Sequence, residues 1–145
     1  MRRRTLVLTV IPTLAVATLA FLRPALDPGL VTRAGRRDLV PDRVVPGATP
    51  VSLRTRDGIC LRGIHVAAPA DRRLVLHLLP ADASVSSGVG EFAGFGETLE
   101  DLRWRGFSSL AVDYRGVGAS DGEPDASAIA ADAVAMWEEA LRRCG

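Results

Sequence analysis

Six residues, Leu74-Val75-Leu76-His77-Leu78-Leu79, form a nearly unbroken apolar run that Pro80 closes. The run has the length of a strand, and being apolar on both sides it must be covered on both faces, as a parallel strand inside a layered α/β structure is. The next 65 residues fit that position. Thr98 to Arg105 places Leu99 and Leu102 on one side and Glu100, Asp101 and Arg103 elsewhere, the pattern of an amphipathic helix that ends at Gly106. Phe107 to Val112 is a second apolar strand. A final helix carries Ile129, Ala133, Met136, Trp137, Ala140 and Leu141 as its apolar stripe, with Asp125 or Ser127 as its cap and Arg142 and Arg143 suited to its C-terminal dipole. Strand, helix, strand, helix makes a right-handed βαβα unit, so the expected fold class is α/β.

Upstream, Val51 to Thr55 alternates apolar and polar residues, Arg56-Asp57-Gly58 offers a turn, and Ile59 to Ala67 resumes with Ile59, Leu61 and Ile64 as anchors. This predicts a hairpin at a sheet edge. Residues 24–50 carry Pro24, Pro28, Pro41, Pro46 and Pro50 among charges without periodicity, the pattern of an extended linker, so the domain is expected to span 51–145. Residues 1–23 begin with Arg2, Arg3 and Arg4 and continue through eighteen uncharged residues, Thr5 to Leu22. As a helix that run is about 27 Å long, enough to act as a single-pass signal anchor, with the membrane as partner through residues 5–22. Export after signal cleavage is the competing reading, although no small-x-small site precedes Arg23 and Pro24. Arginines on both sides of the run leave its orientation open.

A net charge of +1 and the absence of a basic, aromatic-interleaved patch give no case for nucleic acid. Cys60 and Cys144 lack the spacing of a metal site or a redox pair and are expected as buried or free thiols, so no metal or cofactor is expected.

The turn after the second strand, Asp113-Tyr114-Arg115-Gly116-Val117-Gly118-Ala119-Ser120-Asp121-Gly122, contains a literal Gly-x-Ser-x-Gly, Gly118 to Gly122. Together with the Arg56-Asp57-Gly58 hairpin, the apolar strand and the Gly106-Phe107 lead-in, the segment Asp113, Tyr114, Arg115, Gly116, Gly118, Ser120 resembles the DYRGxGxS segment of the α/β-hydrolase superfamily. The branches it is most similar to are the membrane-anchored serine-aminopeptidase-like and dienelactone-hydrolase-like ones. The resemblance covers about Val51 to Gly145 and implies the N-terminal half of a partial hydrolase sheet. It also implies ester or amide acyl hydrolysis in the complete fold, and a C-terminal half as the partner that carries the nucleophile elbow, the acid and the histidine.

Ser120 does not fit a nucleophile. An elbow sets its serine directly between strand and helix, whereas Ser120 lies seven residues beyond Asp113 and Glu123-Pro124-Asp125 intervene before the helix. The order also fails, because His65 and His77 both precede it. Ser120 is therefore expected as a turn-stabilising hydroxyl. By the resemblance, Leu79-Pro80-Ala81 occupies the oxyanion-hole loop, with proline in place of glycine and leucine in place of histidine, and the Ala81 N–H is the donor candidate. His77 is expected as a buried histidine satisfied by a neighbour, and His65 as incidental. Asp113 and Arg115 are expected to brace the turn as an ion pair, and Asp132, Glu138 and Glu139 to be capping or solvated charges. Two other readings stay open. One is a non-catalytic, membrane-tethered remnant or interaction module. The other is a dinucleotide-binding βαβ unit using Gly88-Val89-Gly90-Glu91-Phe92-Ala93-Gly94, although Gly88 is nine residues past Leu79.

Overall fold

A computed structural model of the chain describes residues 38–69, 73–80, 83–85 and 95–144. In chain order these form a short helix α1 (Pro41–Val44), strands β1 (Thr49–Arg54), β2 (Cys60–Val66) and β3 (Leu74–His77), helix α2 (Phe95–Trp104), strand β4 (Ser108–Val112) and helix α3 (Ile129–Cys144). The strands make one sheet in the order β1-β2-β4-β3. β1 and β2 form the expected antiparallel hairpin, with Leu53 opposite Leu61, and β2 runs antiparallel to β4. β3 runs parallel to β4, with His77 opposite Ala111. The chain thus passes from β2 to the outside of the sheet, crosses over through α2, and returns between them.

Strand alternation divides the core into two layers. On one face Leu53, Leu61, Leu74, Leu76, Leu110 and Val112 pack against Met136 and Ala140 of α3. On the other, Ile64, Val66 and Ala111 pack with Val45, Leu79, Val85 and, from α2, Phe95 and Leu99. β4 lies between two strands and beneath helices on both faces, and all five of its residues are buried. β1 needs only one covered face and alternates accordingly: Val51 and Leu53 are buried while Ser52 and Arg54 are exposed.

Several expectations need correction. The apolar run is a strand only to His77, because Leu78 turns outward at 42% exposure before Pro80. α2 begins at Phe95, ahead of Thr98, since Phe95 and Leu99 together fill the core beneath β4. On α3 the stripe is rotated: Ala135 and the charged Asp132 face inward, and Leu141 is 46% exposed. Part of the stretch read as a linker is packed, for Val45 is fully buried and Ala48 nearly so. The expected anchor at residues 5–22 lies outside the described residues. Among the described residues no helix is long and apolar enough to cross a membrane.

The two central strands approach so closely at Gly63 that a Cβ there would overlap the backbone carbonyl of Ala111. Backbone in mid-sheet cannot yield as a flexible side chain would. Gly63→Ala is expected to destabilise the domain by about 3 kcal/mol or more, the upper range for overpacking. Urea unfolding followed by circular dichroism measures this, and a change under about 1 kcal/mol would contradict the close approach.

Candidate functional site

The glycine-rich turn leaves β4 at the C-terminal end of the parallel pair and folds back onto the start of β2. Asp113 N–H still donates to Arg62 O (2.9 Å), and Asp121 N–H donates to Cys60 O (2.9 Å), so the turn closes over the β2 backbone. Within it Val117 N–H reaches Tyr114 O (3.1 Å), Ser120 N–H reaches Val117 O (3.0 Å) and Gly116 N–H reaches Asp121 O (2.9 Å).

Ser120 is buried inside this loop. Its Oγ donates to Asp113 O at 2.7 Å and accepts from Arg62 N–H at 2.9 Å. Neither histidine is among its partners. Arg62 grips the same turn from outside, donating to Ala119 O (2.8 Å) and pairing with Asp121 (2.5 Å).

Asp113 and Arg115 do not pair with each other, contrary to the expected brace. As residues i and i+2 they would share a face on a continuing strand, but β4 ends at Val112 and the turn carries them to different partners. Arg115 goes to the α3 face: its guanidinium reaches Asp132 Oδ1 at 2.6 Å and Asp57 Oδ2 at 2.7 Å. Its own N–H donates to Asp132 Oδ2 at 3.0 Å. Asp132 is fully buried, neither a cap nor a solvated charge. Arg115 therefore ties the hairpin turn, the 113–122 turn and α3 together, which raises its already high pKa. The Arg115 guanidinium, and next the Thr55 hydroxyl, hold Asp57 near pKa 2. Burial, reinforced by the charge of Asp132, raises Tyr114 to about 12. Glu138 pairs with Arg56, and Glu139 with Arg142 and Arg143.

Asp113 points to the opposite face and is also fully buried. Its two carboxylate oxygens accept from Val85 N–H (2.6 Å) and Ala119 N–H (3.2 Å), and burial lifts its pKa to about 6. Gly118, at φ +53°, is the one residue type that fits beside it, since a Cβ there would overlap Asp113 Oδ2. His77 lies on this same face, its Nε2 3.2 Å from Ser109 Oγ and its ring edge-on to Phe95. Burial lowers its pKa to about 4, so it is neutral at pH 7.

Ala81 lies outside the described residues, as does the Gly88 to Gly94 stretch of the dinucleotide alternative. No disulfide joins Cys60 and Cys144. Among the described residues no group of three His, Cys, Asp or Glu side chains could hold a metal ion. The sequence reading missed Asp57 and Asp132 as partners of Arg115. For Asp132 a signal existed: it stands three residues after Ile129 and four before Met136, inside the apolar stripe, where a charge needs a buried partner.

No protein-family model matches the chain, and no curated protein matches it. Solved structures do. DcsB, in complex with its substrate analogue, aligns with a TM-score of 0.54 at 23% identity, over 64% of this chain and 31% of that one. The esterase Pf2001 of Pyrococcus furiosus aligns in two crystal forms. One gives a TM-score of 0.56 at 20% identity, over 71% of this chain and 38% of that one. The other gives 0.55 at 22%, over 70% and 39%. The likeness carries the architecture: this is a mixed α/β domain with an α/β-hydrolase-like fold. The chain spans between about a third and two fifths of the length of the structures it matches.

Two predictions follow from the buried charges. Arg115→Met leaves Asp132 buried without its cation and is expected to cost about 3–5 kcal/mol, whereas Asp57→Asn, at an exposed carboxylate, shifts the urea midpoint far less. Equal effects would disprove the hierarchy. Second, His77 and Asp113 oppose each other in acid. The depressed pKa of His77 gives stability present above about 6.5 and lost as pH falls toward about 4; the raised pKa of Asp113 gives stability present below about 3.8 and lost as pH rises through about 6. His77→Gln should therefore gain stability between about pH 6.5 and about pH 4.5, and Asp113→Asn should lose it, as read from urea midpoints at the two pH values.

Proposed function

We propose that this chain is the N-terminal part of a membrane-anchored serine hydrolase of the α/β-hydrolase fold. Its substrates are esters, amides or similar acyl compounds, turned over by acyl transfer through a serine and an oxyanion hole. The observation that carries the reading is the sheet order β1-β2-β4-β3 with the Asp113–Gly122 turn at the C-terminal end of β4. The likeness to the Pyrococcus furiosus esterase supports it. In this reading Ser120 is structural, since both roles of its hydroxyl are used inside the turn. Ala81 supplies an oxyanion N–H, and the nucleophile, acid and base belong to strands beyond β3. The single-pass anchor rests on the uncharged stretch Thr5 to Leu22.

A second reading, a tethered non-catalytic interaction module, is favoured by one fact: Ser120, the serine of the Gly-x-Ser-x-Gly, is bonded to Asp113 O and Arg62 N–H and to neither histidine. The two readings separate in the DNA after codon 145. An in-frame Gly-x-Ser-x-Gly with a later Asp and His fits the hydrolase, and an unrelated gene fits the module. The chain itself is expected not to label with a fluorophosphonate probe. Labelling that Ser120→Ala abolishes would overturn the structural assignment of Ser120.

A further inference from the structure

We infer that Asp113 is a proton-operated latch between the segment that follows β3 and the turn that follows β4. The inference goes beyond the hydrolase reading and stands without it. Asp113 divides its two oxygens between Val85, between β3 and α2, and Ala119, in the turn after β4. Oδ1 takes Val85 N–H, and Oδ2 takes Ala119 N–H. Val85 is fully buried, as is Asp113, so the bond fixes a core residue of the opposite segment.

Among the described residues no cation is bonded to Asp113. Arg115, two residues on, faces the other layer with Asp57 and Asp132, and Arg62 on β2 gives its guanidinium to Asp121 and Ala119 O. From β3 the titratable group on this face is His77, which is bonded to Ser109 and neutral down to about pH 4. From α2 the buried residues are Phe95 and Leu99. Gly118 contributes no side chain, and Ser84, beside it, does not ionise.

An ionised carboxylate offers two acceptor oxygens. A carboxylic acid keeps one good acceptor, and its other oxygen, now an O–H donor, is a poor acceptor for a backbone N–H. Ionised Asp113 therefore holds both segments, and protonated Asp113 holds one. Burial moves the change into mildly acidic solution, near pH 6. Asparagine copies the released state, since its amide presents one oxygen and one donor.

The test uses the isotope-labelled full chain in mild detergent, followed by NMR from neutral to acidic pH. The Asp113 carboxyl carbon and the Val85 and Ala119 amides should titrate together with a midpoint near 6. Below it, one of the two amides should lose about tenfold in hydrogen-exchange protection, the worth of one hydrogen bond to a charged group. A carboxyl carbon that titrates near the ordinary 3.8, or amides that do not follow it, would overturn the latch. These measurements need only the wild-type chain. In Asp113→Asn the pH step in both amides should vanish, and its persistence would equally reject the proposal.

Discussion

A guanidinium held between a fully buried carboxylate and a half-exposed one organises this domain. Arg115 gives Asp132 a close, doubly bonded partner that replaces the water lost on burial, and its remaining donors reach Asp57 in the hairpin turn. The geometry is that of a planar fork, which a lysine could not reproduce. Beyond the exposed Arg56–Glu138 pair and the Asp121 N–H to Cys60 O bond, these elements meet in the apolar core, and apolar packing does not fix rotation or register sharply. With the fork in place, α3 can dock on the sheet at one azimuth, the one that brings Asp132 under the turn. That is why its stripe differs from the one drawn by hydrophobicity, with Leu141 outside and Ala135 inside.

The same turn carries charge to the opposite layer by a different device. Among the described residues Asp113 has no counter-ion and accepts from backbone N–H groups, while the hydroxyl of Ser120 fastens the turn to β2. Three consecutive demands, an anion facing one layer, a cation facing the other and a hydroxyl between backbones, account for the residue types at Asp113, Arg115 and Ser120 without any reference to catalysis. A Gly-x-Ser-x-Gly written here is a by-product: Gly118 is small because Asp113 leaves no room, and Ser120 is polar because two backbone groups need it.

Much of this was legible before the fold was known, and the boundary has a physical cause. β3, β4 and the hairpin follow from local pattern, because burial on both faces or on one writes itself into hydrophobic periodicity. The α/β class followed from their order. What local pattern could not supply were partners distant in sequence. Asp57 and Arg115 are 58 residues apart, and Val85 and Asp113 are 28 apart. The expected Asp113 with Arg115 pairing used proximity in sequence, whereas the turn after β4 sends the two side chains to different layers. Asp132 was readable in principle from its place in the stripe, whereas the backbone N–H of Val85 as a ligand for Asp113 has no signature in residue identity at all.

Sheet order also sets a timetable. β3 is made before β4, its strand partner among the described residues, which begins more than thirty residues later, at Ser108. On a growing chain the hairpin of β1 and β2 can close at once, but Leu74 to His77 must wait for β4 to emerge before that pairing can form. During that interval an apolar strand with both edges open is exposed to other nascent chains. The crossover that places β3 outside β4 thus leaves Leu74 to His77 without this partner early in synthesis, an exposure that pairing of consecutive strands avoids.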